Sequence, residues 1–136
     1  MSATPTKKDQ RIQYPERTIK RAELALRCSP FYLKLFAEMR RASIPLPTIA
    51  GETGVQKGYT QRPLSEFAAE SGLMWLINVG LLRREVDGQG ITDSFRLTPL
   101  GHQLVAKWEQ WGETMPAPSQ LERLRNTLNR WLRLSL

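Results

Sequence analysis

Apolar side chains recur at helical spacing along most of this chain, and near its middle the spacing changes to a short alternation. Ile19, Ala22 and Leu26 predict a first helix over 15–27, opened by Pro15, where a first turn tolerates the missing N–H. Ser29-Pro30 reads as the next start signal, and Phe31, Leu35 and Met39, with Phe36 beside them, predict a second helix to about Ala42. Ile44-Pro-Leu-Pro47 breaks the pattern, and Pro47–Glu52 fits a short third helix ending at Gly54. Leu64, Phe67, Ala68, Met74, Trp75 and Val79 predict a longer helix over about 61–79, capped by Thr60 with Pro63 in its first turn.

The alternation follows. Leu82 and Val86 on one side, Phe95 and Leu97 on the other, flank Asp87-Gly-Gln-Gly90, the turn chemistry of a β-hairpin. Thr98-Pro99 opens another helix, with Leu100, Leu104, Val105, Trp108 and Trp111 on one face. Met115–Ser119 is a proline-containing linker. Beyond it Leu121, Leu124, Leu128 and Trp131 repeat at three-four-three spacing, with Arg123, Arg125, Arg130 and Arg133 on the other faces. The expected organisation is a basic arm over 1–13, a domain over 14–112, a linker over 113–118 and a terminal amphipathic helix over 119–136. Helix, hairpin, helix in this order predicts a mainly α chain with a small β-hairpin, a winged helix-turn-helix with extra N- and C-terminal helices.

Charge changes the picture by where it sits. The chain of 136 residues carries net +7, and residues 1–41 alone hold ten Lys/Arg against four Asp/Glu. Such an excess suits nucleic acid or an anionic surface, and equally serves solubility. One cysteine, Cys28, excludes an intramolecular disulfide and fits a reducing compartment. The polar start Met1–Gln13 shows no signal peptide, and the apolar run Leu73–Leu82 is too short to span a bilayer. A cytoplasmic protein is the expectation.

Several segments carry a resemblance. Ile49-Ala-Gly-Glu-Thr-Gly-Val55 resembles the second helix and turn of a helix-turn-helix. Leu64–Leu82 resembles the long helix that closes into a wing, and Phe95-Arg-Leu-Thr-Pro-Leu-Gly101 the wing's return strand and the next helix start. Over Ile44–Trp111 the chain is therefore similar to winged helix-turn-helix proteins of the MarR/PadR type. The whole chain, including Arg27-Cys-Ser-Pro30, is also similar to a small uncharacterised cyanobacterial family with no assigned activity. Gly54-Val55 to Gly80-Leu81 is some ten residues longer here than in the MarR/PadR pattern, which shifts attention to the intervening loop.

The resemblance implies double-stranded DNA as partner. Lys57, Tyr59, Thr60, Gln61 and Arg62, at the expected helix N-terminus, are the first candidate contacts, set against a merely solvated polar loop. Arg83, Arg84 and Arg96 of the hairpin are the second, but Glu85, Asp87 and Asp93 cancel them, which disfavours a phosphate-gripping wing. Lys7, Lys8 and Arg11 of the arm are a third. Leu121, Leu124, Leu128 and Trp131 are the expected surface for a homodimer or another protein partner, unless the helix folds back onto its own core. His102 stands alone on its helix, Cys28 reads as a bystander thiol, and Gly51, Gly54 and Gly58 lack the Lys-Ser/Thr ending of a phosphate loop. An enzyme is not expected, nor a cofactor or metal. A DNA-binding regulator is the leading expectation, and a non-enzymatic interaction module on the same scaffold is the alternative.

Overall fold

The computed structural model describes residues 13–110 and 117–135, with the backbone alone at 133–135. The N-terminal arm, Trp111 and most of the linker lie outside the described residues. Helix α1 (Glu16–Cys28) follows Pro15 and buries Ala22, Leu24, Ala25 and Leu26. It stops where Ser29 turns its hydroxyl back onto the Leu26 carbonyl at 2.8 Å and Pro30 follows.

Helix α2 (Leu33–Met39) is shorter at both ends than the expected span to Ala42. Ser29-Pro30 does not start it, because Phe31 is held in an isolated antiparallel bridge with Thr60. The Tyr32 N–H donates to the Tyr59 carbonyl at 2.8 Å, which keeps this stretch extended until Leu33. The broken stretch Ile44–Pro47 then yields a strand, β1 (Ile44–Pro45), and a short helix, α3 (Leu46–Ile49). β1 lies at the edge of a three-stranded sheet of order β1-β3-β2, where a proline costs no ladder bond. Helix α4 (Gly51–Gln56) is set off from α3 by the extended Ala50 (ψ 160°). The expected single helix at Pro47–Glu52 is thus two, because the Gly51 N–H leaves the helical ladder for the Leu64 carbonyl at 2.8 Å.

Helix α5 (Glu66–Asn78) begins at Ser65, whose hydroxyl accepts from the Ala68 N–H. It buries Ala69, Leu73, Trp75 and Leu76 and hands over through Val79 and Leu81 to the hairpin, β2 (Leu82–Asp87) and β3 (Gly90–Leu97). The turn is closed by the Asp87 carboxylate, which accepts from the Gln89 N–H at 2.7 Å, while Gly90 takes the positive φ of 119°. β3 is the central strand, pairing Phe95 with Ile44 on one side and with Arg84 on the other. Thr98 caps α6 (Pro99–Gln110) by accepting from the Gly101 N–H at 3.1 Å.

Leu26, Leu35, Phe36, Leu73, Leu76, Leu81, Phe95 and Val105 form one core between α1, α2, α5, α6 and the sheet. Phe31 meets Phe36 edge to face, with centroids 6.2 Å apart. This mainly helical arrangement, with a small antiparallel sheet and a hairpin between two helices, is compatible with a winged-helix-like fold. The last helix, α7 (Gln120–Ser135), packs on α1 and is hydrogen-bonded to α5.

Candidate nucleic-acid and partner surfaces

In a helix-turn-helix the helix after the turn presents its N-terminal residues to the major groove. On the winged-helix comparison α4 precedes the turn, and α5 is the helix that would hold that position. Its sequence contains no Lys or Arg and two carboxylates, Glu66 and Glu70. Its outward side chains include Glu66, Phe67, Ala68 and Met74, with Phe67 81% exposed. Glu70 is also the partner of Arg84, at 3.0 Å. A helix so composed repels phosphate instead of neutralising it.

The loop before α5 departs from expectation. The helix does not start at Thr60, because Thr60 is tied to Phe31 and the residue before Pro63 is steered away from helical geometry. Tyr59 is 3% exposed and Thr60 2% exposed, so neither offers a contact to a ligand in this fold. The Tyr59 hydroxyl donates to Glu38 at 2.5 Å, and burial, reinforced by that bond, pushes its pKa up to about 12. Tyr59 binds the loop to α2, and Thr60 binds it to Phe31 just ahead of that helix. Lys57, Gln61 and Arg62 remain exposed on its outer side. Lys57 also lends its carbonyl to the Lys34 ammonium at 2.6 Å.

Two of the hairpin's three arginines are engaged within the protein. Arg84 pairs with Glu70 and lies 4.8 Å over the Phe95 ring, and Arg96 pairs with Glu85 at 3.2 Å. Arg83 is exposed and has no ion pair among the described residues. The exposed tip carries Val86 and Ile91 beside Asp87 and Asp93. Of the charges balanced in the sequence count, Arg96 and Glu85 form a real pair, whereas Arg84 finds its partner outside the hairpin, in Glu70 of α5.

Helix α7 reverses the usual polarity of a docked helix. Ser119 and Glu122 form a reciprocal cap, at 2.9 and 3.1 Å. Glu122 then accepts two bonds from the Arg27 guanidinium, at 2.8 and 2.9 Å. Asn126 accepts from the Trp75 indole N–H at 3.1 Å, and Arg130 donates to the Ser71 hydroxyl at 2.7 Å and to its carbonyl at 3.0 Å. The inner face is therefore largely polar. Leu121, Leu124, Leu128 and Trp131 point outward, exposed by 53% at Leu128 to 75% at Leu121, and Leu132 stands at the edge between this face and α1. Sequence periodicity showed the stripe. It did not show that Arg27, Ser71 and Trp75 on the body would draw the opposite face inward, although Glu122, Asn126 and Arg130 at four-residue spacing were the readable sign.

The Arg27 guanidinium, followed by the Ser119 N–H, holds the Glu122 carboxyl below the ordinary carboxylate range. A carboxyl lowered in the folded state stabilises at pH values above its unfolded pKa, and that contribution fades as pH falls through the folded value. Urea midpoints of the wild type should therefore drop on acidification well below pH 5. Glu122→Gln should start lower at neutral pH and respond less to acid. Equal pH slopes for the two proteins would mean that Glu122 does not fasten α7.

Burial pushes the Cys28 thiol up, with Arg123 and Arg27 opposing it, which disfavours a reactive thiolate. Burial lowers the His102 pKa, aided by Arg40 and Arg96. Among the described residues no group of three His, Cys, Asp or Glu could hold a metal ion, and no helix is long and apolar enough to cross a membrane.

Residues 12–130 match a family model described as Npun_F0494-like. The chain belongs to the Npun_F0494-like family. No curated protein and no solved structure matches it. The match to this family spans α1, the helix-hairpin-helix body and most of α7, so the terminal helix belongs to the family's extent.

Proposed function

We infer that this chain is a non-enzymatic interaction module built on a winged-helix scaffold, and that its working surface is the outer face of α7. The observation that carries this reading is the inverted docking of that helix. Its polar face is used up on Arg27, Ser71 and Trp75, and its leucines face outward. A contiguous apolar stripe of this kind marks a site for another protein. Arg123 and Arg125 are exposed on the same helix, whereas Glu122 is taken by Arg27. The rim is therefore cationic. It favours an amphipathic helix with acidic flanks over a second copy of α7, whose arginines would meet arginines. The test is fluorescence anisotropy with a labelled helical peptide, leucine-rich on one face and flanked by Glu, against the same peptide flanked by Lys. Binding of the Glu peptide alone supports the reading. Preference for the Lys peptide, or a concentration-dependent dimer with no peptide binding, overturns the choice of partner.

A second reading, a DNA-binding regulator of the MarR/PadR type, is favoured by the charge that the fold leaves outside. The sequence pI is about 10.1, and Lys57, Arg62 and Arg83 are exposed. Phosphate contacts of this number give weak, salt-sensitive binding without base reading. On this reading, Lys57→Ala with Arg62→Ala should weaken binding to a 20-base-pair duplex in low salt by about tenfold, as lost phosphate contacts would. An unchanged affinity, or none in the wild type, would remove the loop from consideration.

A further inference from the structure

Between α1 and α7 runs an open groove of about 830 Å³. Its wall includes Leu24, Trp75 and Leu132 and a set of charged side chains from both helices. The carboxylates of that wall already have cations. Glu16 pairs with Lys20 at 3.1 Å, Glu23 with Lys107 at 3.0 Å, and Glu122 with Arg27 at 2.8 Å. Arg17, Arg21 and Arg125 also line the groove and have no carboxylate partner among the described residues. Arg21 goes further: its Nε is buried and has no acceptor among the described residues.

We propose that the α1–α7 groove binds a small organic phosphate, held by Arg17 and Arg21 from α1 and by Arg125 from α7, with its apolar part against Leu24, Trp75 and Leu132. Three uncompensated guanidinium groups exceed what one carboxylate balances, and they match a ligand carrying two or more negative charges. The planar fork of arginine suits phosphate oxygens. The volume is that of an ordinary small-molecule site. Arg17 and Arg21 are four residues apart and so share one side of α1, facing the helix that supplies Arg125. Because α7 is fastened to α1 by the Arg27–Glu122 pair, a ligand bridging the two helices also braces the helix that carries the leucine stripe. The groove does not depend on the identity of the protein partner.

Isothermal titration of the full chain with adenosine diphosphate and with inorganic pyrophosphate tests this. The expected result is one saturable site, tighter for the adenosine compound because it also meets the apolar wall. Arg21→Gln and Arg125→Gln should each weaken binding about tenfold or more, as loss of a charge-assisted bond does, while Arg83→Gln on the hairpin leaves it unchanged. Arg125 is exposed, so its variant reports on the site even if Arg21→Gln folds poorly. Absence of saturable binding, or an equal loss with Arg83→Gln, overturns the proposal. So does a DNA duplex that displaces the diphosphate through Arg21 and Arg125, which would make the groove a nucleic-acid track.

Discussion

Gly54→Ala is expected to unfold the domain at temperatures where the wild type is intact. A Cβ at this position would lie 2.0 Å from the Ile49 carbonyl oxygen and 2.8 Å from its carbon. Both are backbone atoms, so no side-chain rotation relieves the overlap. The Gly54 carbonyl also accepts from the Tyr59 N–H at 2.8 Å and the Thr60 N–H at 3.3 Å. Any shift of α4 that makes room is therefore passed to the loop whose Thr60 bridges Phe31 and whose Tyr59 holds Glu38. The expected cost is about 3–5 kcal/mol, the range of severe core overpacking. For a domain of this size it corresponds to a fall in Tm on the order of 10–20 °C. Thermal denaturation followed by circular dichroism measures it. Gly88→Ala, where an added Cβ meets nothing within 4 Å, is the control and should be nearly neutral. A Gly54→Ala protein melting within a few degrees of the wild type would mean that α3 and α4 do not approach this closely.

That same loop shows where sequence reasoning reached its limit. The helix over α5 was legible from Leu64 to Val79, but its start was not. Thr60 and Ser65 are both good caps, and Pro63 fits after the first or before the second. What decides between them is the pairing of Thr60 with Phe31, 29 positions earlier in the chain, which no local pattern encodes. Tyr59 reads as a contact residue for the same reason, since a tyrosine in a polar stretch gives no local sign that Glu38 and α2 bury it. Strand β1 was missed because two residues have no periodicity, and its Pro45 argues against a strand everywhere except at an edge. The hairpin, α1 and α6 were legible because turn chemistry, caps and apolar spacing agree there. The hairpin's neutrality was legible as well, by counting. The orientation of α7 was not, because an amphipathic stripe shows that two faces differ and leaves open which one the body prefers.

The consequence of that orientation is a second large effect, of opposite kind. Leu124→Asp combined with Leu128→Asp is expected to abolish binding of an acidic-flanked helical peptide while leaving the fold's stability nearly unchanged. Apolar residues at the centre of an interface each contribute more than about 1 kcal/mol, and a carboxylate placed there must also be desolvated. Two such changes predict at least a hundredfold loss of affinity. They also cancel the positive charge of Arg123 and Arg125 at the local rim, which removes its attraction for acidic flanks. Stability should move by less than about 1 kcal/mol, because both leucines are more than half exposed and the helix is held by Glu122, Asn126 and Arg130 on its other side. Anisotropy and thermal melts on the same preparation separate the two quantities. If affinity survives, the stripe is not the working surface. If the melt collapses instead, the leucines are packed against the body, and the inverted docking of α7 on which the proposed function rests is wrong.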